Sequence, residues 1–304
     1  MIARRQFMAA GALLLGGGVG AGVGKVWAAD GKEAKKSKVS SSFATHMAKL
    51  EAGVSGRLGV AIIDSAGQRR WGYRADARFP MCSTAKFLMA AAVLKRVDAG
   101  QEQLERRIVY GKQALVAYSP TTSKYVGGEG LSLAQMCEAA LTLSDNTAAN
   151  LMINSLGGLV AFNAFVKSLG DKMTRLDRFE TELNTAIPGD PRDTTTPAAM
   201  TVNLQKILLG DVLAPASRRQ LTDWMLNNKT GDQRLRAGMQ AGWKVGDKTG
   251  SGDYGSTNTI GIVLPPQAKP LLVSIYLTNT KAPEAQRNAV LADVGKIIVA
   301  SLDR

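Results

Sequence analysis

Ser83-Thr84-Ala85-Lys86 sets a hydroxyl and an amine three residues apart. On a helix that spacing puts both on one face, so the lysine Nζ can reach the serine Oγ and stay near it through a reaction. The run that follows, Phe87-Leu88-Met89-Ala90-Ala91-Ala92-Val93-Leu94, predicts a helix buried nearly all round. Such a helix would hold the pair rigidly, and burial would lower the Lys86 pKa towards that of a proton acceptor. The S-x-x-K pattern occurs once in the chain, but as a bare motif it carries little weight.

Three further clusters carry chemistry. Ser144-Asp145-Asn146 places a short hydroxyl and an amide where one helix ends, the serine suited to relay a proton and Asn146 to bind a carbonyl. The same triplet also fits a helix end followed by the N-cap of the next helix. Lys248-Thr249-Gly250 precedes a strand pair, so its backbone N–H groups and a cation can face a ligand along a sheet edge. Lys229-Thr230-Gly231 repeats that triplet after Trp224-Met225-Leu226, where it reads as a glycine stop to a helix. Finally, Arg178 to Asp193 is a long polar loop between helices. Within it Glu180 and Asn184 can hold one water, and Arg178 with Asp193 can close the base as an ion pair; an exposed, charge-mixed connection is the plainer alternative.

The elements that must position these residues follow from periodicity. Gly59 to Asp64 and Gln68 to Tyr73 flank a glycine-containing turn, and Thr259 to Leu264 and Leu271 to Leu277 flank Pro265-Pro266, predicting strand pairs near both ends. Phe43, Met47 and Leu50 recur at helical spacing, and the last segment, Pro283 to Leu302, is a helix with proline near its start. Between them the chain is helical: Ser132 and Gln135 fit a capping box, Gly157-Gly158 and Gly170 punctuate two helices, and Thr196-Pro197 opens another. The expectation is an α+β fold, an antiparallel sheet flanked by helices and built from both termini, with an inserted all-α domain. The boundaries expected are 43–78 and 227–304 for the α/β part and 79–226 for the all-α part.

Composition removes several function classes. The 304 residues carry a net charge of +13, yet only 6% are aromatic, so base-stacking platforms are scarce and nucleic acid is not the expected partner. The single histidine, His46, lies beside the apolar positions of a helix far from the reactive clusters and reads as structural. One histidine and two cysteines argue against a zinc hydrolase and a cysteine-rich metal site, and no metal or cofactor is expected. Arg4-Arg5 before the weakly apolar, glycine-rich stretch Ala9 to Val23 reads as a Tat-like export leader, residues 1–28, cleaved after Ala28, leaving a periplasmic protein with no membrane span. Losing Arg4, Arg5 and Lys25 takes the charge from +13 to +10 (13 − 3). Residues 29–42 read as a solvated linker.

The order of the motifs is more specific than any one of them. S-x-x-K, S-D-N, the Glu180-to-Asn184 loop and K-T-G, with Asp145 to Leu151 and Val245 to Gly250, closely resemble the class A serine β-lactamases, from about Phe43 to the C-terminus. That resemblance implies a serine β-lactamase/DD-peptidase-like fold and a monomer that hydrolyses the β-lactam amide of penicillins and cephalosporins, conferring antibiotic resistance. Ser83 would attack the lactam carbonyl, with the N–H groups of Ser83 and Ser251 as oxyanion hole. Glu180 with Asn184 would activate the deacylating water, and either Lys86 or Glu180 would accept the Ser83 proton. Ser144 would protonate the leaving nitrogen. Tyr118, Asn146, Lys248 and Thr249 would bind substrate, Tyr118 as the aromatic residue at the cleft mouth.

Two departures from the family pattern bear on the site. Many members carry an arginine shortly after K-T-G, where this chain reads Gly255-Ser256-Thr257-Asn258; Arg234 matches an alternative position for the same guanidinium. Cys137 and Cys82 match halves of two bridges whose partner positions here are Ala90 and Gly252, so two free thiols are expected. Pro80-Met81-Cys82-Ser83 and Lys248 to Gly255 are most similar to the cefotaxime-hydrolysing subgroup. The competing readings are a penicillin-binding DD-peptidase with slow deacylation, which lacks the Glu180 and Asn184 apparatus, and a basic binding protein for anionic cell-wall polymer.

Overall fold

The computed structural model describes residues 38–65 and 69–302, with side chains from Ser42 onwards. The leader and most of the linker expected from the sequence lie outside the described residues. Helix α1 (Lys38–Gly53) already begins within the segment read as linker.

Five strands form one antiparallel sheet: β1 (Arg57–Asp64), β2 (Arg70–Tyr73), β3 (Lys244–Gly252), β4 (Ser256–Leu264) and β5 (Leu271–Thr278), in the order β2-β1-β5-β4-β3. The two predicted strand pairs join because β1 pairs with β5 along its whole length, Arg57 opposite Thr278 and Asp64 opposite Leu271. Side chains alternate across the sheet, as the two-residue period of a strand requires. Val273, Ile275 and Leu277 face a core shared with Phe43 and Met47 of α1, while Leu272 and Tyr276 face the opposite core. The helix α8 (Glu284–Leu302) closes the first core with Leu291, Val294 and Ile298.

The second core is helical. It is built around α2 (Ala85–Asp98), whose first ten residues, Ala85 to Leu94, are all buried. Around it lie α3 (Leu133–Thr142), α4 (Asn146–Leu156), α5 (Gly158–Ser168), α6 (Pro197–Leu208) and α7 (Pro215–Leu226). Local chemistry sets their ends. Ser132 and Gln135 complete a reciprocal capping box on α3, and Thr196 caps α6 with Pro197 in its first turn. Gly157, at φ 97°, ends α4 in the left-handed region that glycine enters without steric cost. Ser37–Arg304 form one compact unit.

Candidate active site

Cys82–Thr84 form a 3-10 turn that runs directly into α2, so Ser83 and Lys86 share a face as their spacing predicts. Lys86 Nζ lies 2.9 Å from Ser83 Oγ. The lysine is fully buried, and its ammonium also donates to Asn146 Oδ1 at 2.6 Å and the Ser144 carbonyl at 2.9 Å, and sits 2.9 Å from Glu180 Oε1. Ser83 Oγ is in turn 3.4 Å from the same carboxylate oxygen. Burial lowers the Lys86 pKa from the ordinary lysine range, and Glu180 opposes that fall.

Ser144 bridges two cations. Its hydroxyl is 3.2 Å from Lys86 Nζ and 3.1 Å from Lys248 Nζ. Lys248, also fully buried, donates to the Thr249 carbonyl at 2.8 Å, and burial followed by the Lys86 charge pushes its pKa well below the lysine range. Its strand β3 is the sheet edge, as predicted, and packs against the nucleophile turn. Gly250 permits that approach: a Cβ there would stand 2.8 Å from the Met81 carbonyl and 3.2 Å from the Ser83 nitrogen.

The capping reading of the S-D-N triplet is visible in the contacts. Asp145 caps α4 through the Ala148 N–H, and its carboxylate also accepts from the Thr121 and Thr122 N–H groups and the Thr122 hydroxyl. Those bonds anchor the loop that carries Tyr118, whose side chain is 62% exposed at the surface. Cys82, Tyr118 and Ser144 all hold positive φ, at 47°, 60° and 60°. Such backbone is costly for side-chain-bearing residues and persists where the surroundings enforce it.

The polar loop is closed at its base and carries Glu180 inward. Arg178 Nε meets Asp193 Oδ2 at 2.6 Å, and the Asp193 carbonyl takes the Met81 N–H, two residues before the nucleophile. Asn184 Nδ2 donates to Glu180 Oε2 at 2.5 Å, while its own Oδ1 is buried with no hydrogen-bond partner among the described residues. A residue not singled out from the sequence, Asn150, holds the Glu180 backbone through both its amide atoms. The available signal was its spacing: Asn150 lies four residues after Asn146 on α4, on the same face.

Arg234 is buried behind β3. Its guanidinium donates to the Gly250 and Asn258 carbonyls and the Asn288 side chain, and Nη2 reaches Ser251 Oγ at 2.7 Å. Burial lowers its pKa, with Glu284 and Asp247 opposing. Both cysteines are free and buried. The position opposite Cys82 is indeed Gly252, where a Cβ would stand 2.7 Å from the sulfur and 2.5 Å from the Asn184 carbonyl. His46 is exposed on α1 and, among the described residues, bonds its own helix at the Ser42 carbonyl, 2.7 Å away.

The second K-T-G triplet corrects the sequence reading. Helix α7 closes at Asn227, so Gly231 is not its stop. Gly231 is small because the Asp247 carboxylate lies against it, and a Cβ would collide with that group. Asp247, whose pKa burial raises, is held by Arg236 at 2.6 Å and by Asn228. The Thr230 hydroxyl contacts that of Thr249, so the repeat buttresses the first triplet.

Residues 42–302 match the model of the beta-lactamase enzyme family. The chain is 47% identical over 259 residues to beta-lactamase Toho-1 of Escherichia coli, covering 85% of this chain and 89% of that one. It is 44% identical over 248 residues to beta-lactamase AER-1 of Aeromonas hydrophila, covering 82% of each. Among solved structures it is similar to an ancestral class A beta-lactamase, at 58% identity and TM-score 0.84, covering 85% of this chain and 99% of that one. A putative class A beta-lactamase from Rhodopseudomonas palustris gives 53% identity and TM-score 0.84, covering 86% and 99%.

Proposed function

The chain is a class A member of the beta-lactamase enzyme family and a hydrolase of β-lactams that confers resistance to them, and we propose that it opens the lactam through an acyl-enzyme on Ser83. The observation that carries this mechanism is the shared contact at Ser83 Oγ: Lys86 at 2.9 Å and Glu180 at 3.4 Å, themselves 2.9 Å apart. The buried pair takes the serine proton as Oγ bonds to the lactam carbonyl carbon. The N–H groups of Ser83 and Ser251 receive the oxyanion, each such donor contributing about 3 kcal/mol in acyl-transfer enzymes. Ser144, fed by Lys86, delivers a proton to the lactam nitrogen as the C–N bond breaks.

Deacylation reverses the proton flow. A water between Glu180 and the unpartnered Asn184 Oδ1 loses a proton to Glu180 and attacks the ester carbon. The ester C–O bond then breaks and Ser83 recovers its proton. Lys248 and the Arg234-supported Ser251 hydroxyl take the substrate carboxylate, Asn146 the side-chain carbonyl, and Tyr118 packs at the cleft mouth. This apparatus on the loop separates the enzyme from a DD-peptidase. Similarity to Toho-1 and to the cefotaxime-hydrolysing subgroup supports penicillins and oxyimino-cephalosporins as the substrates. The basic leader supports export to the periplasm by the Tat route, and the protein works as a monomer without nucleic acid.

A chromogenic cephalosporin tests this reading on wild type and Glu180→Ala. Wild type turns over continuously, whereas the variant acylates and stalls, with the adduct visible by mass. Slow deacylation by wild type itself would make the chain a peptidase, and absence of any acylation would make it a binding protein.

A further inference from the structure

Beneath the return limb of the 178–193 loop lies a cavity of about 340 Å³, separate from the catalytic cleft. Ala186, Gly189 and Asp190 of the loop line one side, and Arg57 of β1, Arg78 and Asn279 line the other. A second cavity, about 620 Å³, shares Asn279 and adds Lys281 at its edge. The charges in the first cavity do not balance. Among the described residues, neither Arg57 nor Arg78 has a carboxylate within ion-pair distance. Arg57 Nη1 donates to the Arg78 carbonyl at 2.7 Å, and its guanidinium carbon lies 4.1 Å from the Phe79 ring centre. Arg78 Nη1 donates to the Met173 carbonyl and the Thr194 hydroxyl.

The acids nearby are already engaged. Asp190 is held by Arg192 at 2.7 Å, and Glu51 is taken by Arg74, Tyr73 and the Leu58 N–H. Two half-buried arginines, each with most of its five donors free of a partner among the described residues, therefore line a cavity large enough for a small ligand. Planar forks match a tetrahedral oxyanion through paired N–H bonds.

We propose that this cavity is a binding site for a phosphate-class anion, which Arg57 and Arg78 hold beside the return limb of the loop that carries Glu180. The chemistry is shared by free inorganic phosphate and by a phosphomonoester such as a polymer phosphate. Isothermal titration with inorganic phosphate and, separately, glycerol 3-phosphate tests it at ionic strength held constant with chloride. Wild type is expected to show saturable binding, with Tm raised by about 2–4 °C at saturation because the anion binds only the folded chain. Whichever anion binds more tightly identifies the source.

Arg57→Gln weakens binding at least tenfold while cephalosporin turnover, which does not use this residue, reports an intact fold. If that variant loses turnover, Arg57→Lys replaces it and must weaken binding too, since a lysine lacks the fork. Lys248→Met removes the cation that takes the substrate carboxylate in the catalytic cleft and leaves this site's binding in place. Absence of saturable binding, binding unaffected at Arg57, or binding abolished by Lys248→Met each overturns the proposal, the last by assigning the anion to the cleft.

Discussion

Asn150 clasps the backbone of Glu180 with both of its amide atoms, its Oδ1 accepting the Glu180 N–H at 2.8 Å and its Nδ2 donating to the Glu180 carbonyl at 2.9 Å. The loop's reacting carboxylate is thereby fixed to α4, the same helix that presents Asn146 to Lys86. Backbone clamps of this kind matter because a displacement of about 1 Å at a reacting group can cost about 100-fold in rate.

Asn150→Ala is therefore expected to slow deacylation about 100-fold while acylation changes only a few-fold. Stopped-flow turnover with mass detection of the adduct separates the two steps. Equal loss in both would mean that Asn150 supports the whole cleft rather than the carboxylate.

Arg234 reaches the cleft only through Ser251 and the β3 backbone, so its contribution is positional as well as electrostatic. Hydrogen bonds to a charged group are worth about 1.5–3 kcal/mol, and Arg234→Ala should reduce penicillin kcat/KM by about 10- to 100-fold. Arg234→Lys should recover little, because four acceptors on three elements are met by one rigid fork. Unchanged kcat and KM in the alanine variant would remove Arg234 from substrate binding.

Cys82 and Cys137 are fully buried, and burial pushes both thiols far above the usual cysteine range. Native protein should give no reaction with a disulfide-exchange thiol reagent at neutral pH, since the thiolate is the reactive form. Denatured without reductant, it should give two thiols per chain. A count of zero after denaturation would mean that the two sulfurs are bridged.

The chemistry was legible where it depends on spacing within one element. Ser83 and Lys86 are three residues apart on one helical path, and Ser132 with Gln135 is a capping box by sequence and by contact. The strand pairs were legible from the turn residues they flank, but their union through β1 and β5 was not, because pairing partners 207 (271 − 64) to 221 (278 − 57) residues apart leave no local trace. Asn150 and the Thr230 contact escaped for the same reason: each acts on a group brought to it by the fold. The role of Gly231 was misread because a glycine after a helix suggests a stop, whereas here it makes room for the Asp247 side chain.

Lys248 makes a pH dependence testable. Its folded pKa lies well below the lysine range, while in the unfolded chain a lysine titrates near ~10.4. Between those values the unfolded state binds more protons than the folded state, so stability from this group rises with pH. Below the folded pKa the full penalty of a buried cation applies, and above about pH 10.4 the lysine is neutral in both states and the penalty is gone. Lys248→Met cannot titrate there. Urea unfolding of both proteins from pH 7 to pH 10 should therefore show the difference, wild type minus variant, moving in favour of wild type as pH rises. A difference that stays flat or moves the other way would mean that Ser144, the Thr249 carbonyl and Asp247 hold the ammonium charged as readily as water does.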